Sequence, residues 1–135
     1  MKIVLDINIF VSSFFWDGNP RRIMERIIDG KDTLFTCTEI LQETASVMAR
    51  PKFKTGNEYV VHFIRSIEEV ANPISITGVI QNVCRDSDDD KILECALLAN
   101  ADYIITGDDD LLVLSAFRGI KIVTAKEYLV SIVNH

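Results

Sequence analysis

The sequence predicts an α/β domain with a mainly parallel central sheet, and three observations support this prediction. Short apolar runs alternate with segments in which apolar residues recur at helical spacing, which is the order expected of β-α units. The run Tyr103–Thr106 is apolar on both faces, as a central strand of a parallel sheet should be. Glycine and proline are scattered singly, so we predict one domain over residues 1–135.

The elements of the first half follow from the apolar spacing and from the residues that interrupt helices. Gly30 ends the first predicted helix, and Pro51 and Pro73 follow the next two. The aromatic stretch 14–16 precedes the first of these helices and is expected to lie in a loop. The predicted elements are a strand at 2–5, a helix at 21–29, a strand at 33–37, and helices at 38–49 and 58–71.

In the second half, apolar residues fall on nearly all sides of the segment 88–99 after its opening aspartates, which predicts a helix that is largely buried. The sequence Thr124-Ala125-Lys126-Glu127 is a capping box, which predicts that the last helix opens there. The other predicted elements are a short strand at 74–76, a strand at 103–106, a short helix at 110–117 and a strand at 120–123.

Acidic residues are expected to meet at one edge of this sheet. Asp6 ends the first strand, and Asp108 follows the strand 103–106 after a single glycine. Because the carboxyl ends of parallel strands share an edge, where ligands bind in open α/β folds, both carboxylates point to that edge. A third acidic segment, 86–90, opens the buried helix, and seven of the twelve aspartates lie in it or in 108–110.

This concentration of carboxylates predicts a metal site. Like charges held within a few Å repel one another, and their pKa values rise unless a cation neutralises them. Mg²⁺ and Mn²⁺ are hard divalent ions that prefer oxygen ligands. Glu43 lies about 40° from Val47 on its predicted helix, at the edge of the apolar stripe, so it can reach a cleft, whereas Glu39 faces water.

Helix capping is the alternative explanation for several of these acids. Asp88 and Asp89 are expected to cap a helix and to oppose its dipole rather than to bind a ligand. For Asp90 and for the segment 108–110, the local sequence leaves capping and ligand binding equally open. Asp6 gains little structurally at the end of a buried strand, so the convergence of the acids as a set favours a binding site.

Other common site chemistries find no support in the sequence. No G-x-S-x-G, Walker A or G-x-G-x-x-G motif is present, and the calcium-loop spacing that begins at Asp86 fails at Lys91 and Leu97. His62 lies in an amphipathic segment and His135 is terminal, so neither is a convincing ligand or general base. The three cysteines lack C-x-x-C spacing, which fits a reduced cytoplasm, and no apolar run predicts a membrane span.

Four segments form a set of motifs in a fixed order along the chain. They are Leu5-Asp6-Ile7-Asn8-Ile9-Phe10, Glu39-Ile40-Leu41-Gln42-Glu43 continuing to Arg50-Pro51-Lys52-Phe53, Asp86-Ser87-Asp88-Asp89-Asp90-Lys91, and Ala101-Asp102-Tyr103-Ile104-Ile105-Thr106-Gly107-Asp108-Asp109-Asp110-Leu111. With these motifs, over nearly its whole length, the sequence resembles the PIN domain family. It is most similar to the small prokaryotic branch of VapC-related toxins of toxin–antitoxin systems.

The resemblance implies a three-layer α/β/α sandwich and a metal-dependent endoribonuclease site holding one or two Mg²⁺ or Mn²⁺ ions. The family's acidic catalytic and metal-binding residues fall on Asp6, Glu43, Asp90 and Asp108, with Asp110 as an additional metal ligand. Asn8 and Thr106 match the family's polar positions that support these ligands. One departure is Ile7, where the family usually has threonine; the acids themselves are all present, so an inactive relative is not indicated.

RNA is the substrate that the resemblance implies, and an antitoxin protein and a second copy of the chain are further expected partners. A solvated rim is an equally open explanation for the basic residues that could contact RNA phosphates, which are Arg21, Arg22, Arg26, Arg50, Lys52 and Lys54. Alternative functions are an RNA-processing nuclease without an antitoxin, an interaction module with masked or vestigial activity, and a nuclease acting on DNA.

The net charge of −6 argues against binding nucleic acid by bulk charge alone. Nine of the twenty acidic residues, however, lie in or beside the predicted site. The rest of the chain then has eleven acidic against fourteen basic side chains, so it is mildly basic and the acidity is local. Bound divalent cations would invert the local field at the site.

Overall fold

The chain forms six strands and seven α-helices over residues 1–133, the part that this computed structural model describes. His135 lies outside that range. The strands are Lys2–Leu5 (β1), Thr33–Thr36 (β2), Ala71–Pro73 (β3), Tyr103–Ile105 (β4), Ala116–Phe117 (β5) and Ile120–Val123 (β6). The helices are Ile7–Phe15 (α1), Asn19–Ile28 (α2), Thr38–Met48 (α3), Asn57–Val70 (α4), Asp90–Ala99 (α5), Asp109–Leu112 (α6) and Ala125–Val133 (α7).

The strands form one sheet in the order β3-β2-β1-β4-β6-β5. All neighbours are parallel except β5 and β6, which form an antiparallel hairpin at one edge. The chain builds outward from β1 to β3 and then crosses back to place β4 on the other side of β1. This reversal creates a switch point between the carboxyl ends of β1 and β4, which is where open α/β sheets bind ligands.

Helices on both faces of the sheet complete the predicted three-layer α/β/α sandwich. Right-handed crossovers that run in opposite directions from β1 place their helices on opposite faces. On one face α2 contacts α1 and α7, and on the other α5 packs on β1, β2 and β4. The fold class predicted from the sequence is therefore confirmed, and it fixes which side chains can converge at the switch point.

The core lies between these layers and is built mainly from the central strands. Ile3, Val4 and Leu5 of β1 and Ile104 and Ile105 of β4 are fully buried, as expected for strands covered on both faces. At roughly two-thirds burial of the unfolded chain's surface, a domain of this size needs no disulfide, and its three cysteines are free. Within residues 1–133, no helix combines the length and the apolar composition needed to cross a bilayer.

The helix α1 corrects the predicted loop over residues 14–16, because the helix extends to Phe15. Its sequence is apolar on nearly all sides, so it lacks the two-sided pattern by which amphipathic helices are found. The structure explains this composition, since α1 packs against both α2 and α3 and buries Phe10 completely. Asp6 caps the helix by accepting a 2.7 Å hydrogen bond from the backbone N–H of Ile7.

Two smaller predictions are also wrong. The edge strand β3 begins directly after α4, at Ala71–Pro73 rather than at 74–76, and its proline is tolerated because edge strands have free N–H positions. The predicted helix over 110–117 stops at Leu112, and its end becomes β5 instead. Arg118 and Gly119 both have positive φ, which forms the tight two-residue turn that returns the chain into β6.

Candidate functional site

Asp6 is the fixed point of the site, at the carboxyl end of β1. It is 4% exposed, and its two carboxylate oxygens accept hydrogen bonds from Ile7 N at 2.7 Å and from Thr106 Oγ1 at 2.7 Å. The Thr106 hydroxyl in turn accepts from the backbone N–H of Asp108 at 2.9 Å. One threonine thus joins the aspartates that follow β1 and β4, as expected of a polar supporting residue.

Asn8 supports the same junction from the first turn of α1. Its Oδ1 accepts a 3.3 Å hydrogen bond from the backbone N–H of Gly107. Gly107 lies against the Asn8 side chain: a Cβ added at Gly107 would be 3.6 Å from the amide nitrogen of Asn8. The short connection between β4 and Asp108 therefore runs close to α1, which holds the two acidic strand ends together.

Asp6, Asp89 and Asp108 form a compact group, which we call the acid triad. One carboxylate oxygen from each lies within 4.8 Å of the others. Asp89 is buried, and its Oδ2 has no hydrogen-bond partner within the described chain. An orphaned, buried carboxylate oxygen is costly unless a cation or a proton satisfies it.

The pKa values of the acid triad reflect this crowding. Burial raises the pKa of Asp6, the hydrogen bonds from Thr106 and Ile7 lower it, and the charges of Asp108 and Glu43 raise it again. Burial, together with the neighbouring Asp108 carboxylate, raises the pKa of Asp89 to about 8. Carboxylates placed this way favour either a bound proton or a bound cation at neutral pH.

The donor set of the acid triad fits a hard divalent ion. It consists of carboxylate oxygens, which Mg²⁺ and Mn²⁺ prefer, with no thiolate or imidazole in the group. Within residues 1–133, no lysine or arginine forms an ion pair with any member of the triad. Because Oδ2 of Asp89 accepts no hydrogen bond within the described residues, it is free to coordinate an ion.

A cavity of about 360 Å³ opens directly onto the acid triad. Glu43 of α3 lines it together with the three aspartates, as its position on the predicted helix suggested. The Glu43 carboxylate is 2.7 Å from Nζ of Lys91, the second residue of α5. Glu43 therefore shares the cavity with the triad but is held by a protein cation in this structure.

Asp90 and Asp110, two further predicted ligands, point elsewhere. Asp90 Oδ1 accepts a 2.8 Å hydrogen bond from the backbone N–H of Cys84, and its side chain faces a second cavity behind the loop. Asp110 Oδ1 lies 3.8 Å from Nε of Arg85, on a different surface. The structure brings Asp6 and Asp108 together with Asp89 and does not bring Asp90 or Asp110 into that group.

Asp89 was expected to cap a helix rather than to bind a ligand, and it does occupy the N-cap position of α5. It stands before α5 but its side chain makes no capping hydrogen bond, whereas Asp86 caps the preceding 3₁₀ turn, Ser87–Asp89, by accepting from Asp88 N at 3.0 Å. Because Asp88, Asp89 and Asp90 are consecutive and identical, the sequence does not show which of them faces the cavity. Only the backbone course through the turn decides which carboxylate faces the cavity.

Glu94 is a polar residue of α5 that the sequence analysis did not single out. It is 1% exposed, and its carboxylate accepts hydrogen bonds from the backbone N–H groups of Thr77 at 2.6 Å, Gly78 at 3.0 Å and Ile80 at 3.3 Å. With Asp90 one turn earlier, it anchors the loop that leads to Asp89. The available signal was an acid within a helix otherwise apolar on nearly all sides.

The three arginines predicted to contact RNA from α2 differ in position. Arg21 donates to two backbone carbonyls at the end of α1, and the exposed Arg22 donates to Asn19 Oδ1. Arg26 lies at the amino-terminal edge of the sheet, where its Nε is 2.9 Å from Asp32 Oδ2. Because that edge is opposite the acid triad, Arg26 does not border the cavity.

The second basic group, Arg50, Lys52 and Lys54, lies beside the cavity. Arg50 lines it directly, and Lys52 and Lys54 are exposed in the turn that follows. Phe53, between the two lysines, also lines the cavity. The cavity therefore has an acidic floor and a wall that is both basic and aromatic.

Comparison with known proteins now accounts for this arrangement. Residues 2–110 match the PIN domain profile, a span that includes the whole acid triad. The chain belongs to the PIN domain family. It is also similar to a protein of Methanocaldococcus jannaschii named uncharacterized protein MJ1680, at 34% identity over 121 residues that cover 84% of this chain and 75% of that protein.

PIN domains are generally nucleases that use divalent metals, so family membership and the local chemistry of the acid triad agree. In this PIN domain the triad lies at the switch point of the sheet, the position at which such folds bind ligands. A nuclease of this kind acts on nucleic acid, which is consistent with a cavity lined by both acidic and basic residues.

Proposed function

We propose that this PIN domain is a metal-dependent endoribonuclease that hydrolyses RNA phosphodiester bonds. The observation that supports the proposal is the acid triad: three carboxylate oxygens lie within 4.8 Å of one another, and no lysine or arginine of the described chain pairs with them. We assign Asp6, Asp89 and Asp108 as the residues that hold one or two Mg²⁺ or Mn²⁺ ions.

A bound ion of this kind supplies an acidified water and neutralises charge on the phosphate. Thr106 and Asn8 keep the two strand ends at a fixed separation, which preserves the spacing of the carboxylates. Glu43 faces the same cavity from α3, within reach of a proton released there. Lys91 forms an ion pair with Glu43 in this structure.

Asp90 enters this proposal in a different role from the one that the family resemblance implied. Its hydrogen bond to Cys84 N holds the loop that precedes Asp89, so we propose that it positions the neighbouring ligand. Asp110 closes the first turn after β4, since its N–H donates to Asp108 Oδ1 at 2.9 Å. A metal titration of Asp89→Asn beside Asp90→Asn separates the two assignments: the larger loss of affinity identifies the ligand.

The test of the proposed reaction is cleavage of RNA with Mg²⁺ or Mn²⁺ present and with the metal removed by a chelator. Matched single-stranded DNA is included, because the same chemistry serves either polymer. Metal-dependent internal cleavage leaving 3′-hydroxyl and 5′-phosphate ends supports the proposal, provided that Asp6→Asn and Asp108→Asn abolish it. Equal cleavage by either variant contradicts the assignment of that residue, and cleavage of DNA alone contradicts the RNA specificity.

A toxin role, with an antitoxin as partner and the cytoplasm as site of action, extends this proposal. Expression of the wild-type chain should then arrest growth of a host cell, and Asp108→Asn should not. Growth unaffected by an active enzyme favours RNA processing instead. A chain that binds a protein partner but cleaves no nucleic acid under any metal condition would support the interaction-module alternative.

A further inference from the structure

The basic wall of the cavity continues into a group of aromatic side chains, which we call the aromatic rim: Phe15, Trp16 and Phe53. The rings of Phe15 and Phe53 are stacked, with centroids 4.6 Å apart and planes inclined by 14°. The Trp16 ring lies 5.6 Å from Phe15 and 6.5 Å from Phe53. The two phenylalanines are half-buried and support the tryptophan, which is 57% exposed.

The aromatic rim is continuous with the cavity that contains the acid triad. Phe53 lines that cavity, and Trp16 contacts the Phe53 edge from outside it. Helix α1 links the two regions, with Asp6 at its start and Trp16 at its end. At 1.5 Å per residue, ten residues place Trp16 about 15 Å from Asp6. A single strand whose phosphate reaches the triad could therefore also contact the rim.

The charges around the aromatic rim match a phosphate backbone. Arg50, Lys52 and Lys54 flank Phe53 in sequence, and Lys52 Nζ lies 5.0 Å from the centre of the Phe53 ring. Over the described residues, none of these three side chains pairs with a carboxylate. Basic side chains interleaved with aromatic rings are typical of grooves that bind unpaired nucleic-acid strands.

We propose that the aromatic rim is a base-binding subsite, at which one unpaired nucleotide stacks on Trp16 while Arg50, Lys52 and Lys54 contact the adjacent phosphates. The subsite rests on the proposed function, because the scissile phosphate is the one that reaches the acid triad. Bases within a duplex have both faces covered by their neighbours, so only an unpaired base can present a face to the tryptophan. The subsite therefore selects single-stranded over double-stranded substrate.

A protein occupant fits the aromatic rim less well. A stable protein interface buries about 800 Å² on each partner, with a well-packed apolar centre. Here Trp16 is the rim's only exposed aromatic ring, and unpaired basic side chains border it. A polyanion satisfies both the ring and the charges, so we commit to nucleic acid.

The experiment uses Trp16 as its own reporter, because it is the single tryptophan of the chain. The protein, with metal chelated to prevent cleavage, is titrated with a short single-stranded RNA, with the same RNA as a duplex, and with matched single-stranded DNA. We expect the single strands to quench the tryptophan emission and to bind more tightly than the duplex. One stacked base corresponds to roughly 5- to 100-fold in affinity.

Variants then assign the effect to the ring. Trp16→Ala should weaken single-strand binding by about 5-fold or more, Trp16→Phe should restore most of it, and an abasic nucleotide at the stacked position should remove the difference between them. The matched control is Ile28→Ala, which shortens a 65% exposed apolar side chain at the opposite edge of the sheet and should leave binding unchanged. Variant affinities are measured by anisotropy of a labelled RNA.

The outcomes separate the subsite from the proposed reaction. Cleavage of RNA with an unchanged KM in Trp16→Ala overturns the subsite and leaves the endoribonuclease intact. Trp16-dependent binding without cleavage under any metal condition overturns the reaction and leaves the subsite. A change in emission that follows protein concentration alone assigns the rim to a second copy of the chain and overturns the proposal. Equal affinity for single strand and duplex also overturns it.

Discussion

Two buried acidic sites lie at opposite edges of the same sheet. At the amino-terminal edge, the Asp32 carboxylate accepts from Arg26 Nε at 2.9 Å and from the Tyr128 hydroxyl at 2.7 Å, with the chain's amino terminus 3.6 Å away. At the carboxyl edge, the acid triad places three carboxylates together, and no lysine or arginine of residues 1–133 forms an ion pair with them. One buried charge is balanced within the protein, and the other group is not.

The comparison shows what distinguishes a structural acid from a functional one in this fold. Burying any carboxylate carries a desolvation cost, which a partner must offset. Asp32 has partners on both oxygens, and its hydrogen bond with Arg26 raises the pKa of that guanidinium. Asp6 also accepts a hydrogen bond on each oxygen, but Asp89 Oδ2 has no partner within residues 1–133, and no lysine or arginine of that range pairs with the triad. The pKa values of Asp6 and Asp89 are raised instead. The charge of the triad has to be balanced from outside the chain.

The largest expected difference between the two sites is in catalysis. Asp108→Asn should lower RNA cleavage by more than the ~10–100-fold typical of losing a residue that only supports a metal ligand. Asp32→Asn should leave the specific activity of the folded enzyme close to wild type. Initial rates on one RNA substrate at saturating Mg²⁺ measure both. Comparable losses in the two variants would remove the functional distinction between the edges.

The next difference is in the free energy of unfolding, where the larger effect is expected at Asp32 rather than at the acid triad. Asp32→Asn leaves Arg26 without its charged partner, and we expect a loss of about 2–3 kcal/mol in the free energy of unfolding. This is below the value for a fully buried pair because the Arg26 side chain is 27% exposed. Urea unfolding in the presence of a chelator measures it. Asp29→Asn, an exposed change at the same edge, is the control and should alter stability by less than ~0.5 kcal/mol.

The pH dependence of the metal-free protein sharpens the same comparison. The pKa of Asp89 is about 8 in the folded protein and near 3.9 in an unfolded chain, so the folded state binds this proton more tightly. Its contribution to stability is present at low pH and is lost as the pH rises toward 8. Asp89→Asn should therefore stabilise the metal-free protein at pH 8 by at least about 1.4 kcal/mol, equivalent to one pKa unit.

Metal should reverse that trend in the wild type only. At pH 8 Mg²⁺ should raise the thermal midpoint of the wild type, because it binds the folded state alone, and should raise that of Asp89→Asn much less. Thermal unfolding across pH 5 to 8, with metal and with chelator, measures both effects. A wild type whose metal-free stability increases between pH 5 and 8 would contradict the assignment of an unbalanced acid at Asp89.

The smallest effect is expected from the loop anchor. Glu94→Gln keeps the size of the side chain but weakens its hydrogen bonds to the N–H groups of the loop before Asp89. We expect the Mg²⁺ concentration for half-maximal activity to rise about 10-fold, with a smaller change in the maximal rate. Glu58→Gln, on the exposed side of α4, is the control. An unchanged metal requirement in Glu94→Gln would show that the loop holds its position without this anchor.

The sequence predicts the fold well because the fold depends on periodicity. The apolar runs of β1 and β4 and the largely apolar helix α5 each match a buried parallel arrangement, and Asp6 and Asp108 follow from the rule that strand ends share an edge. Helix α1 is missed since it is enclosed by α2 and α3 and therefore has no polar side to reveal its period.

The details of the site are less predictable, and the reason is geometric. Asp88, Asp89 and Asp90 are identical side chains at adjacent positions, and a 3₁₀ turn that ends at Asp89 decides which of them faces the cavity. The spacing of residues on an ideal α-helix does not predict the side-chain directions within a 3₁₀ turn that precedes the helix. Glu94 was visible as an acid beyond the first turn of a mainly apolar helix, but its partners are backbone groups of a distant loop, which carry no sequence signal.

The hydrogen bond between Thr106 and Asp6 also has a consequence for the order of folding. It joins residues that are 100 positions apart, so the site cannot form until β4 has been inserted beside β1. At about 5–20 residues per second, a ribosome needs roughly 5–20 s to extend the chain from one residue to the other. During that interval the nascent chain holds Asp6 without Thr106 and Asp108, so the proposed metal site is incomplete until the last third of the domain has been made.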